Sequence, residues 1–279
     1  MDTVTGPPAA PAAGPHTAAL GMARGGPAAA TALCSRLGLA GFGLAAAGLR
    51  DDRVAQEFAA HTADAGLAVN CVSHGIRTPP GSGQRWLRER DALTAAIDRA
   101  AQLGAPTVLI TSGPSSELTW DEAADRLTAH LAEPVAYARR SGVRVAVENT
   151  MSMRAELSFT HRVADAADLA EMLGGHIVVD LYSAWQERDL ARTLARHRDR
   201  VALVQMADLQ MPIHAVPNRW ALGDGELPIA AQLTMLDRLG LGASIDLELL
   251  GPAIDEIGLE TALARSLTVL GGGRSGPTP

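Results

Sequence analysis

The stretch Val143-Arg144-Val145-Ala146-Val147-Glu148-Asn149 decides the reading of the fold. Val143, Val145 and Val147 alternate with Arg144, Ala146 and Glu148, which is the period of a β-strand with two different faces. Gly142 precedes the run and a polar loop follows it, so the strand is short and bounded. It ends on a carboxylate, a group that is costly to bury without a partner. A single such end could meet an Arg or solvent. Three later strands end the same way.

Working outward from this strand, the chain alternates. Strands are predicted at residues 18–22, 41–44, 67–72, 107–111, 143–148, 176–180, 201–205 and 243–248. Helices are predicted at 27–37, 51–65, 86–103, 121–140, 163–173 and 187–198, then from Pro228 to just before Gly240, and at 254–270. Pro134 inside the fourth helix predicts a kink. Eight alternations of short Val, Ile and Leu runs with helices fit an α/β fold, a single-domain closed (β/α)8 TIM barrel. An open doubly wound sheet is the rival. It would carry a Gly-rich phosphate turn after an early strand, and the sequence has none. The domain is expected at 18–271. A Pro-, Ala- and Gly-rich disordered tail is expected at 1–17, and a flexible end at 272–279.

Composition removes several functions. The chain has 279 residues and a net charge of −7. No basic face for nucleic acid is expected from that balance. There is no Lys; all 24 basic residues are Arg, so lysine Schiff-base and pyridoxal mechanisms are excluded. Cys34 and Cys71 match no zinc spacing and read as buried free thiols of a reducing, cytoplasmic protein. No signal peptide or membrane span is expected.

Glu148, Asp180, Gln205 and Glu248 each close one of strands five to eight, 32, 25 and 43 residues apart. In a parallel barrel, the C-terminal strand ends share one rim, where active sites form. Three carboxylates and an amide oxygen crowded there would repel unless a cation sits among them. An all-oxygen set suits Mn2+ or Mg2+ better than zinc.

Five stretches carry a family likeness: 145–149, 178–185, 204–208, 219–225 and 246–248. On them the chain resembles the xylose isomerase-like barrel superfamily of sugar phosphate isomerases and epimerases, including hydroxypyruvate isomerase-like members. The resemblance implies one divalent metal held by Glu148, Asp180, Gln205 and Glu248. Mn2+ is the first expectation, with Mg2+, Co2+ or Zn2+ as alternatives. It also implies that Arg219 reaches the substrate from the loop before Gly223-Asp224-Gly225. Relatives suggest a homodimer or homotetramer. The chain departs from the sugar epimerases at Ser183, where many carry a substrate-binding His three residues after the ligand Asp.

His74 follows strand three and is a candidate for the mouth; a solvent-exposed loop His is the alternative. Trp185 and Trp86 are candidates for the pocket wall, against a core role. Arg154 and Ser158 follow Glu148 in a loop that could touch substrate or a partner subunit. Asp208 could orient a ligand. His61, His130, His161 and His197 read as surface histidines.

The expected function is metal-dependent isomerisation or epimerisation of a small hydroxy-carbonyl compound through an enediolate, with Glu148 and Glu248 as the acid/base pair. A lyase or dehydratase acting on a polyol or specialised metabolite is the close alternative. A non-catalytic metal-binding barrel is the alternative of another class. The partner expected is a small-molecule substrate, not nucleic acid or a membrane.

Overall fold

The computed structural model describes residues 16–21, 25–81 and 83–272. Eight strands close into one parallel barrel in sequence order. They are β1 (Thr17–Gly21), β2 (Gly41–Ala45), β3 (Ala68–Gly75), β4 (Thr107–Thr111), β5 (Arg144–Glu148), β6 (His176–Asp180), β7 (Val201–Met206) and β8 (Asp246–Leu247). The (β/α)8 expectation therefore holds. The expected tail residues 1–15 and 273–279 lie outside the described residues, as does Met22 of the predicted first strand. Thr17 already belongs to β1 and is buried.

The helices are α1 (Gly26–Leu37), α2 (Asp52–Ala65), α3 (Gln84–Gln102), α4 (Trp120–Arg140), α5 (Val163–Leu173), α6 (Leu181–Ala184), α7 (Leu190–His197), α8 (Ile229–Leu239), α9 (Pro252–Ile257) and α10 (Leu259–Gly272). Asp51 caps α2 through its carboxylate, which accepts from Arg53 N at 2.8 Å. Thr119 and Glu122 form a capping box at α4. That helix continues through the buried Pro134 to Arg140.

Two predicted elements need correction. The helix expected at 254–270 is two helices, α9 and α10, separated by Gly258 at φ 83°. A backbone angle of that sign cannot continue a right-handed helix. The strand expected at 243–248 narrows to two paired residues, because β7 and β1 each pair with β8 only at Asp246 and Leu247.

Strand parity sorts the side chains into two layers. Val145 and Val147 face outward, into the large core shared with the helices. Ala146 faces inward and packs with Leu109 and Val178 in the barrel's own small core, flanked by Ala202 and Leu203. Ala, Leu and Val fill this interior, as a chain poor in aromatics requires. Glu148 stands two residues beyond Ala146, Asp180 two beyond Val178, and Gln205 two beyond Leu203. Each therefore points into the barrel mouth, on top of the apolar plug. Among the described residues no helix is long and apolar enough to cross a membrane.

Candidate active site

The four rim residues come together. Carboxylate oxygens of Glu148, Asp180 and Glu248 lie within 4.8 Å of one another. Gln205 lies beside them on the wall of the same cavity of about 730 Å3. Glu148, Asp180 and Gln205 are buried; the Glu248 side chain is 22% exposed.

Asn149 fixes the spacing between the first two strand ends. Its Nδ2 donates to Asp180 O at 3.0 Å, and its Oδ1 accepts from Asp180 N at 2.9 Å. The pair continues the β5–β6 ladder by one side chain, just where the strands would splay. Thr160 Oγ1 donates to Glu148 O at 3.0 Å and ties down the following loop.

Asp180 is the most constrained ligand candidate. Arg219 Nη1 and Nη2 donate to its Oδ1 and Oδ2 at 3.1 and 2.9 Å, a two-point clamp. Ser183 Oγ donates to Oδ2 at 2.6 Å and Tyr182 N to Oδ1 at 3.1 Å. Ser183 therefore lines the cavity while holding the Asp in place. Arg219 Nη2 also meets Glu248 Oε2 at 2.8 Å, as an ion pair outside hydrogen-bond geometry. Its guanidinium lies over the Tyr182 ring, 4.3 Å from the centroid. Among the described residues, Arg219 binds carboxylates of the site itself; its Nε has no partner.

Asp208 directs its carboxylate to backbone N–H groups of the loop that delivers Arg219. Its carboxylate accepts from Leu209 N, Leu227 N, Gly223 N and Gly225 N at 2.8 to 3.1 Å. Gly225 is obligatory there, since a Cβ would stand 2.4 Å from Asp208 Oδ1. The antiparallel bridge between Asp208 and Trp220 leaves Arg219 turned inward, with its N–H on Leu250 O at 3.0 Å.

The sequence reading missed Asp246. It is fully buried inside the barrel, two residues below Glu248. Thr17 Oγ1 and Asn70 Nδ2 donate to its Oδ1 at 2.6 and 2.9 Å, and Gln205 Nε2 faces its Oδ2 at 3.4 Å. A carboxylate only accepts, so the amide nitrogen of Gln205 turns toward it. Gln205 Oε1 is left buried without a partner. The parity of Asp246-Leu247-Glu248 was the available signal, since residues i and i+2 share a face.

Electrostatics describe a site overloaded with negative charge. Burial raises the Glu148 carboxyl well above its usual range, and the charges of Glu248 and Asp180 add to this. Burial likewise pushes Glu248 up to about 7, against the opposing pull of Arg219. Burial lowers His74, whose Nε2 has no partner. His74 sits near the end of β3 and lines the cavity.

Other candidates resolve differently. Trp185 stands apart from the cavity wall, half-buried against the core. Trp86 is a core residue whose Nε1 donates to Pro79 O at 2.8 Å. His130 is not a simple surface group; it stacks on Trp86 at 4.4 Å and contacts Gly81 O. Ser158 is buried in a hydroxyl network with Ser112 and Thr160. Arg154 lines the cavity and pairs with Glu156 at 2.5 Å. Both cysteines are free and buried.

The donor set fits a hard divalent cation. Three carboxylates converge, two with raised pKa, and a fourth oxygen, Gln205 Oε1, lacks any protein donor.

Fold and rim together define a (β/α)8 barrel that gathers oxygen donors at the C-terminal ends of strands five to eight. The family model of the xylose isomerase-like TIM barrel matches residues 31–270, and the chain belongs to that family. A sequence comparison with curated proteins finds no match. Among solved structures, protein SMc04130 from Sinorhizobium meliloti 1021 superposes with a TM-score of 0.80 at 21% identity, covering 91% of this chain and 98% of that one. The 3-keto-D-glucoside 4-epimerase YcjR from E. coli has a TM-score of 0.74 at 18% identity, covering 92% and 98%. The probable 3-DHS dehydratase AsbF from Bacillus anthracis has a TM-score of 0.73 at 11% identity, covering 92% and 98%. At these identities the likeness is one of fold.

Proposed function

We propose that the protein is a divalent-metal-dependent isomerase or epimerase of a small hydroxy-carbonyl compound. The observation that carries the reading is the pair Glu148 and Glu248, converging on one cavity with Asp180 and an unpartnered Gln205 oxygen. Glu148, Asp180, Gln205 and Glu248 would hold the ion, Mn2+ or Mg2+ by their chemistry. When bound, the ion would supply Lewis-acid polarisation of a substrate carbonyl.

The chain's own groups handle the protons. One glutamate, as carboxylate, takes the proton from the carbon beside the carbonyl. The other, as carboxylic acid, returns a proton to that carbon from the opposite side. Net charge and proton count are unchanged, and the two have exchanged roles. Without the ion, burial raises both carboxyls; a bound cation would favour their ionised forms, so the protonated partner is the one the substrate leaves less tightly held by the ion. Arg219 holds Asp180 and Glu248 in register and keeps its charge throughout. His74, whose pKa burial lowers, lines the same polar wall and is the candidate for contact with substrate oxygens.

The same proton abstraction would serve a dehydratase if the substrate carries a hydroxyl one carbon further on. Ser183 favours attention to this second reading, because its hydroxyl is spent on Asp180 and offers little to a sugar.

The test is exchange in D2O with a panel of hydroxy-ketones and Mg2+ or Mn2+ present. The reacting carbon should gain deuterium. Glu148→Gln and Glu248→Gln should keep measurable metal binding and lose about 10²-fold in turnover, as expected for a lost general base. An unlabelled product, or full activity of Glu148→Gln, would sink the proton-transfer mechanism. Loss of one water from the product would select the dehydratase.

A further inference from the structure

The cavity has two unlike walls. Most polar groups come from β3 to β7 and the loops after them, among them Ser73, His74, Thr111, Thr150 and Arg154, and Glu248 stands just past β8. The opposite wall comes from β1, α1, the segment after β8, α9 and α10. It presents Leu20, Leu33, Leu249, Ile254 and Leu259, with Ala30 behind them. Leu249 and Ile254 are buried, and Leu20, Leu33 and Leu259 pack against the main core. Among the described residues its charged side chains are Glu248, at the foot where the wall meets the acidic floor, and Asp255, at its exposed edge.

This wall is built rather than incidental. α1 packs on α10, and the exposed pair of Arg36 and Glu260, at 3.0 and 2.9 Å, spans the two helices that carry Leu33 and Leu259. The wall is continuous with the acidic floor, in one cavity of about 730 Å3. That volume lies within the range of roughly 300–1,000 Å3 that encloses a drug-sized ligand, and a free ketose would leave much of it unfilled. A sugar bare of substituents would also turn hydroxyls toward leucines, where they would lose hydrogen bonds to water and gain none.

We infer that the substrate is an amphipathic hydroxy-ketone, its oxygens over the floor of Glu148, Asp180, Gln205 and Glu248 and a ring-sized apolar substituent against Leu20, Leu33, Leu249, Ile254 and Leu259. The inference rests on the proposed reaction for the oxygen end and extends it to the other end. An apolar group leaving water for that wall gains affinity in proportion to the area it buries.

A matched pair of probes tests it: hydroxyacetone and 2-hydroxyacetophenone, which share the HO–CH2–C=O group and differ in methyl against phenyl. Calorimetry on the full chain with Mg2+ should give at least tenfold tighter binding of the phenyl compound. Leu33→Asn and Leu259→Asn, checked for folding by circular dichroism, should each cut that ratio threefold or more. Equal affinities, absence of binding by the phenyl compound, or an unchanged ratio in both folded variants would overturn the inference. If both variants unfold, the wild-type ratio still decides. Deuterium exchange at the CH2 group, corrected for each compound's uncatalysed rate, tests the reaction separately. Preference without exchange keeps the apolar wall and rejects the reaction; exchange without preference does the reverse.

Discussion

Gln205 Nε2 faces Asp246 Oδ2 at 3.4 Å inside the barrel, and this leaves Gln205 Oε1 buried without a protein donor. The pairing follows from register, because Gln205 and Asp246 are direct partners across β7 and β8. Asp246 is in turn held by Thr17 and Asn70, from β1 and β3. Asp246→Asn puts an amide where only acceptors stood, and the Gln205 amide can then turn its oxygen inward. Mn2+ affinity, measured by titration in an electron paramagnetic resonance assay, should fall roughly 10-fold or more, the usual cost of losing a group that orients a ligand. Unchanged affinity in a folded variant would show that Gln205 is set by something else.

Arg219 and a divalent ion would neutralise the same carboxylates. Arg219→Met removes the protein's own cation from Asp180 and Glu248, leaving buried charge uncompensated. The metal-free variant should melt well below wild type. Added Mn2+ should raise its melting temperature by more than it raises that of wild type. Equal shifts in the two proteins would argue that the ion does not bind among these carboxylates.

The raised carboxyls of Glu148 and Glu248 make a signed pH prediction. Both hold protons in the folded state that an ordinary Glu has released, so between about pH 4.5 and about 7 the native state binds more protons than the unfolded one. Stability of the metal-free protein therefore falls as pH rises through that window. Glu148→Gln should flatten the fall, and Mn2+ should offset it at the upper end. Denaturant melts across this range, with chelator and with metal, read the effect; a metal-free stability that climbs from pH 5 to 7 would contradict it.

Asp208 satisfies four backbone N–H groups of the Arg219 loop and its surroundings. Asp208→Ala leaves the buried Leu209 and Leu227 N–H groups without an acceptor, at about 1–3 kcal/mol each, while those of Gly223 and Gly225 stay within reach of water. The expected loss is about 3 kcal/mol or more of unfolding free energy. Gly225→Ala should be damaging for the matching reason, as its Cβ would strike Asp208 Oδ1. Chemical denaturation measures both.

Ser183→His inserts a ring where the hydroxyl now holds Asp180 at 2.6 Å. The position is half-buried and faces the cavity, so the variant should fold and change its preference among hydroxy-ketones. Failure to fold would place Ser183 among the packed core instead.

The sequence by itself determined the alternation of strands and helices, the closed barrel and the four strand-end oxygens, because strand period and barrel closure follow from local pattern and chain order. It also marked Ser183 as a departure from the family. It did not show that Arg219 would clamp Asp180, that Asp208 would organise the loop that carries Arg219, or that Asp246 would set the Gln205 amide. Those depend on stagger between strands and on a loop folding back over the rim, which bring together residues 39, 15 to 19 and 41 positions apart. Nor could it show the apolar wall. Leu20, Leu33, Ile254 and Leu259 come from opposite ends of the chain, and only closure of β8 against β1, with α1 packed on α10, leaves them beside the site. Periodicity assigns a side chain to a face; what lies opposite that face is fixed only when the barrel's two ends meet.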